Sequence, residues 1–255
     1  MAIDSHMHIN SLSLENKYQA VKNINKNHDI EAVINVGMTC ETSKEAIIST
    51  KQNDKFFCSI GIHPLYTNFQ NWNHLYELAE NPKVVAIGEI GLDSSKNNFE
   101  VQRKYLIRQI IIANELHLPV IIHSNNTNKE IINIFKTVIK PKYGCVFHCF
   151  QPDLDDLNYL MTNGFYVSFA GKITYKTAKK SIEVIKNVDN NLFLVETDSP
   201  YIPVEPFRDS TSTSEYIKYI IKKVSQVKEL EYEEIERITS ENTKQLFKRM
   251  NIAKK

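Results

Sequence analysis

The sequence predicts an α/β fold, a (β/α)8 barrel of the TIM type with an extra C-terminal helix. Short apolar runs alternate with longer amphipathic stretches along the 255 residues, the pattern of repeated βα units around a parallel sheet. The runs number eight, which suits a barrel of this length, whereas an open doubly wound sheet usually has fewer strands. Each run is nearly unbroken in its apolar character, as expected of strands covered by helices outside and packed side chains inside.

In chain order the first four runs are Ala2–Ile9, Glu31–Met38, Phe56–His63 and Val84–Leu92. The next four are Pro119–His123, Cys145–Phe150, Phe165–Ala170 and Leu192–Asp198. Helices are expected between them at about Ser13–Lys26, Cys40–Gln52, Asn71–Glu80, Asn98–Leu118, Asn128–Ile139, Asp153–Asn163 and Thr174–Lys186. Within Asn98–Leu118 the apolar row is Val101, Tyr105, Ile112 and Leu116, interrupted by Arg108. Two further helices, near Ser212–Val227 and Glu231–Met250, would close the barrel and cap its end. The polar run Ser210–Ser214 reads as a surface loop with a helix N-cap. No repeat, low-complexity tract or Gly/Ser linker divides the chain, so residues 1–255 are expected to form a single domain.

A hydrophobic share of 42% and a charged share of 24% exclude disordered and fibrous classes. The formal charge of +1 supplies no global field for nucleic acid, so a polyanionic substrate must be held by local cations or by metal. No stretch approaches the ~20 apolar residues that cross a bilayer, and no basic segment leads into an apolar run. A cytoplasmic location, no membrane and no obligate protein partner are the expectations. Cys40, Cys58, Cys145 and Cys149 are too sparse for a disulfide framework and are expected to be free thiols. Cys145, His148 and Cys149 are close in sequence but lack a second ligand pair with finger or ribbon spacing.

His6 and His8 are two apart on the first strand, so both leave the same face and can reach one metal. Strand-end polar residues recur as His63, Glu89, His123, His148 and Asp198. Taken singly, each could be a buried polar group satisfied by backbone. Together they mark the C-terminal face where barrel active sites lie. Four histidines with two carboxylates exceed the need of one tetrahedral zinc and suit two divalent ions about 3.5–4 Å apart that share a carboxylate. Glu89, roughly opposite the first strand, is the natural bridge. Asp4 and Glu196 sit one layer deeper on the same inward face, either holding the ligands in place or forming a buried pair that only stabilises the barrel. His28, His74 and His117 read as surface residues. The mixed donors suit zinc, manganese or iron, and magnesium also accepts carboxylate and water.

In order and spacing, six segments resemble the TatD family of metal-dependent deoxyribonucleases, within the wider metallo-dependent hydrolase superfamily. They are Asp4-Ser5-His6-Met7-His8, Gly61-Ile62-His63-Pro64, Ile87-Gly88-Glu89-Ile90-Gly91-Leu92-Asp93, Pro119-Val120-Ile121-Ile122-His123-Ser124, His148-Cys149-Phe150 and Glu196-Thr197-Asp198-Ser199-Pro200-Tyr201. The resemblance spans nearly the whole chain. It implies that His6, His8, Glu89 and Asp198 hold one ion, that Glu89, His123 and His148 hold the other, and that His63 contacts a substrate phosphate. It also implies hydrolysis of DNA phosphodiester bonds, often 3′ to 5′, with single-stranded DNA or 3′ ends as the expected substrate.

The chain departs from the family on the substrate side. Asn125 and Asn126 stand where Arg-Asp usually follows His-Ser, Ser94 replaces an aromatic, and Ser212-Thr213-Ser214-Glu215 replaces a common Arg-Asn-Glu-Pro stretch. Arg208 and Lys172, after the eighth and seventh strands, could supply local cations, or could be solvated surface charges. The competing readings are a metallo-hydrolase of a small phosphoester or acyl substrate and a non-catalytic binding protein on a retained barrel. In the catalytic readings, Glu89 and Asp198 are the catalytic carboxylates, with Asp198 orienting a water and taking its proton.

Overall fold

Among the described residues, eight strands lie side by side, all parallel and in chain order. They are β1 (Ala2–Met7), β2 (Ile30–Val36), β3 (Phe56–Ile60), β4 (Val84–Asp93), β5 (Val120–Asn125), β6 (Cys145–Phe147), β7 (Tyr166–Phe169) and β8 (Phe193–Val195). This computed structural model describes residues 1–68 and 71–250. Residues 251–255, the end of the expected domain, lie outside the described residues.

Helices connect the strands: α1 (Leu14–Lys26), α2 (Cys40–Ser49), α3 (Asn73–Ala79), α4 (Phe99–Glu115), α5 (Asn128–Thr137), α6 (Leu154–Thr162) and α7 (Lys179–Asn187). After β8 come α8 (Ile217–Lys228) and α9 (Tyr232–Leu246). The seam between β8 and β1 is joined just beyond β8, where Met7 bridges Ser199, His8 N–H donates to the Ser199 carbonyl at 2.7 Å and Asp198 N–H donates to the His6 carbonyl at 2.9 Å. Among the described residues, no helix is long and apolar enough to cross a membrane.

The barrel is filled from below. Ile3, Ile34, Ala86, Ile121, Val146 and Leu194 form one buried cluster with Leu246, Phe247 and Met250 at the end of α9. The C-terminal helix therefore plugs the N-terminal end of the barrel, and Arg249 ties it there by donating to the carbonyls of Ala79 and Val84. Outside the strands, residues such as Leu106, Ile110, Leu157 and Ile220 are buried between sheet and helices.

Several expected boundaries move. β1, β3, β6 and β8 end at Met7, Ile60, Phe147 and Val195, short of His8, His63, His148 and Asp198. Beyond β6 and β8 the backbone turns out of the ladder, with Cys149 at φ 42° and Asp198 at φ 50° in the left-handed region. α7 begins at Lys179 rather than Thr174, because Gly171–Thr174 first forms a 3₁₀ turn. α9 ends at Leu246. The helix expected from Ser212 begins only at Ile217, after a 3₁₀ turn over Ser214–Tyr216. Ser212 and Ser214 are buried, which corrects the surface-loop reading, and Thr213 makes no N-cap bond there.

The buried face of α4 follows the expected row only in part, since Ile112 is buried and Leu116 packs half-buried against the core. Val101 is exposed, whereas Gln102, Leu106, Gln109 and Ala113 are buried. Each glutamine pairs with one residue's backbone like a neighbouring strand. Gln102 accepts from Asp93 N–H at 2.7 Å and donates to its carbonyl at 3.0 Å. Gln109 does the same to Ile62, at 2.7 and 3.0 Å. α4 thereby fixes the segments that carry Asp93 and His63, satisfying backbone groups that no neighbouring strand pairs.

Candidate metal centre

Glu89 stands at the centre of the C-terminal mouth, and five histidines surround its carboxylate. Oε2 lies 3.6 Å from His6 Nε2 and 3.5 Å from His8 Nε2. Oε1 lies 2.8 Å from His123 Nδ1, 2.8 Å from His148 Nε2 and 3.5 Å from His63 Nε2. Asp198 Oδ1 closes the other side, 3.8 Å from His6 and 3.5 Å from His8. Burial would discourage charge on Glu89, but the close approach of His148, His63 and His123 holds its carboxyl well below the usual range.

Among the described residues the donors fall into three convergent groups: His6, His8 and Asp198; His6, Glu89 and His148; and His63, Glu89 and His123. The outward side of most rings is already engaged, which decides what the inward side can do. His8 Nδ1 lies 3.1 Å from the Val36 carbonyl and must donate to it, leaving an Nε2 lone pair facing inward. His123 Nε2 lies 2.9 Å from Asp93 Oδ2, so its Nδ1 is the inward atom. His148 turns Nδ1 toward Glu196 Oε1 at 3.4 Å and Nε2 toward Glu89. His6 Nδ1 is buried without a hydrogen-bond partner, and His6 Nε2 approaches His8 Nε2 at 3.0 Å.

Imidazole lone pairs and carboxylates crowded this closely are an acceptor-rich set that a divalent cation satisfies. Each of the three groups could hold such a cation, and Glu89 and His6 each belong to two of them.

His63 differs from the rest. Its Nδ1 accepts from Leu65 N–H at 3.2 Å, so the neutral ring carries its proton on Nε2. Burial lowers its pKa, outweighing Glu89, which keeps the ring neutral. His63 therefore presents a donor to the mouth.

Asp4 and Glu196 have separate tasks. Asp4 touches no ligand; its Oδ1 accepts from Thr197 N–H at 2.9 Å, and Oδ2 accepts from the Thr197 and Ser214 hydroxyls at 2.6 Å each. It holds the turn that presents Asp198, and burial raises its pKa to about 6 against those bonds. Glu196 accepts from Cys149 N–H at 2.6 Å and from the Ser168 hydroxyl at 2.5 Å, anchoring the turn that carries His148.

Asp93 is the site residue that the strand-end pattern passed over, since it lay beyond the expected end of its strand. Besides holding His123, its Oδ1 accepts from Ser95 N–H at 2.8 Å and Asn125 Nδ2–H at 3.1 Å. Asn125, which takes a position usually cationic in the family, thus supports Asp93, and Gln151 donates to Asn125 Oδ1 at 3.4 Å.

Lys172 and Arg208 join no donor group. Both lie on the β7–β8 side and are exposed; Arg208 stacks 4.2 Å above the Tyr175 ring and lies 3.8 Å from Glu205. All four cysteines are free, and none enters a convergent group. Of the outlying histidines, His28 and His117 are exposed and His74 is half-buried.

Comparison with known proteins shows the family and the fold. The family described as TatD related DNase matches residues 3–248. An uncharacterized metal-dependent hydrolase of Bacillus subtilis is 33% identical over 253 residues, covering 97% of this chain and 99% of that protein. The crystal structure of a TatD homolog from Escherichia coli superposes with a TM-score of 0.87 at 26% identity, covering 97% of this chain and 98% of that one. A TatD-family hydrolase from Entamoeba histolytica shares the fold at 20% identity and a TM-score of 0.81, over 96% and 97% of the two chains. The chain belongs to the TatD-related family of metal-dependent hydrolases.

Proposed function

We propose that this chain hydrolyses DNA phosphodiester bonds, removing nucleotides from single-stranded 3′ ends. The observation that carries this reading is the Glu89 carboxylate ringed by five histidine nitrogens within 3.6 Å, with Asp198 beside them. Two divalent ions bound there supply an activated water at neutral pH and neutralise charge developing on phosphorus.

The chain's own groups do the rest. His8 and His123 are held by outer partners that fix their tautomers, and His6 and His148 complete the centre beside them. Asp198 resists burial's upward pull through its bond to His8 and the nearby His148, stays ionised, and accepts the proton of the attacking water. The Nε2–H of His63 donates to a non-bridging phosphate oxygen. Lys172 and Arg208 steer flanking phosphates, and so few cations give a shallow fall of affinity with salt.

Incubation of metal-loaded protein with end-labelled single-stranded DNA tests the reading. Stepwise shortening from the 3′ end, absent in Glu89→Gln, is the expected result. Hydrolysis of bis(4-nitrophenyl) phosphate with no shortening of DNA would replace it with a small-phosphoester hydrolase.

A further inference from the structure

Two tyrosines rise beside the metal centre by the same local device. Tyr66 follows His63 by three residues and Tyr201 follows Asp198 by three, and each donates its backbone N–H to that residue's carbonyl at 2.9 Å. The Tyr66 ring lies 5.9 Å from the His63 ring, and the Tyr201 ring lies 5.5 Å from the His8 ring. Both remain open to solvent, Tyr66 at 45% and Tyr201 at 53% exposure. Tyr201 is fixed at its far end as well, where its hydroxyl donates to Ser11 Oγ at 2.7 Å.

We propose that Tyr201, assisted by Tyr66, is the platform on which a nucleobase next to the scissile phosphate stacks. The inference rests on the phosphodiesterase reading above. A ring held at both ends keeps its apolar face presented without an ordering cost on binding. Its contact with His8 places a stacked base immediately beside the phosphate that the centre would act on. The chain also needs such a contact, because its charge of +1 and its neutral Asn125 and Asn126 limit what phosphate pairing can contribute. Stacking accepts every base, so the enzyme would require a base without choosing among them.

Kinetics on oligothymidylate and on an abasic deoxyribose-phosphate oligomer of equal length test the platform. The wild type is expected to show a KM for the abasic oligomer roughly tenfold higher, the size of one base–aromatic contact. Tyr201→Ala is expected to raise KM for oligothymidylate by about the same factor, with kcat and all abasic kinetics nearly unchanged. Tyr201→Phe keeps the ring and should stay close to wild type. Equal damage by Tyr201→Ala on both oligomers would show a structural role and overturn the proposal, as would equal wild-type KM values. A wild type that hydrolyses bis(4-nitrophenyl) phosphate but neither oligomer would instead overturn the polynucleotide reading, and the platform with it.

Discussion

His123 is held between two carboxylates, its Nδ1 2.8 Å from Glu89 Oε1 and its Nε2 2.9 Å from Asp93 Oδ2. Asp93 accepts the Nε2 proton and so turns the Nδ1 lone pair to the centre. In Asp93→Asn one oxygen becomes an NH₂ group that faces either His123 or the donors Ser95 N–H and Asn125 Nδ2–H. Either arrangement opposes two donors. Metal affinity should fall roughly 10–100-fold, the usual cost of losing such an outer partner. Titration against a chelating dye reads this directly, and unchanged affinity would refute the role.

Asp198 is tied to His6 through the backbone and to His8 through its side chain, so its oxygen is placed before substrate arrives. Asp198→Asn keeps the shape and removes the proton acceptor. A loss of kcat of about 10²–10⁴-fold is expected, with KM changed far less. A variant that turns over at the wild-type rate would remove Asp198 from the proton transfer.

The Ser214–Asp4–Thr197 chain yields a stability test. Ser214→Ala takes away one of the three hydrogen bonds to a buried carboxylate and should cost about 1–3 kcal/mol. Ser212, two residues earlier, is equally buried, but its hydroxyl has no partner. Ser212→Ala removes no hydrogen bond and should therefore leave stability unchanged or slightly raised. Urea denaturation of both variants compares them, and equal losses would mean that the Asp4 bond contributes nothing specific.

The barrel and its centre were legible because periodicity and strand-end position are local signals. His6 and His8 declared themselves by a spacing of two, and Glu89, His123, His148 and Asp198 by recurring at the ends of apolar runs. Gln102 and Gln109 were not legible, since a polar side chain on a helix reads as solvent-facing until the backbone it must satisfy is known. The same blindness hid Ser214, whose polar neighbours suggested a loop, although Asp4, far away in sequence, supplies its acceptor. Asp93 was visible in a motif, but its task depends on which His123 nitrogen faces inward, and that is a property of packing.

Cys58 provides a pH test away from the site. Burial pushes its thiol from 9.0 up to about 12, with Lys83 opposing, and its hydrogen donates to the Lys83 carbonyl. In the unfolded chain it ionises near 9, so between pH 9 and 12 the folded state holds a proton that the unfolded state has lost. The protonated thiol's contribution is full below pH 9 and declines as pH rises toward 12, because unfolding releases a proton over that window. By pH 10.5 the decline from this one group should be about 2 kcal/mol. Cys58→Ala loses packing at every pH but lacks this titration, so its stability should fall less between pH 7.5 and 10.5 than that of wild type. Guanidinium unfolding at the two pH values measures the difference, and parallel losses would show that the Cys58 thiol does not govern the alkaline limit.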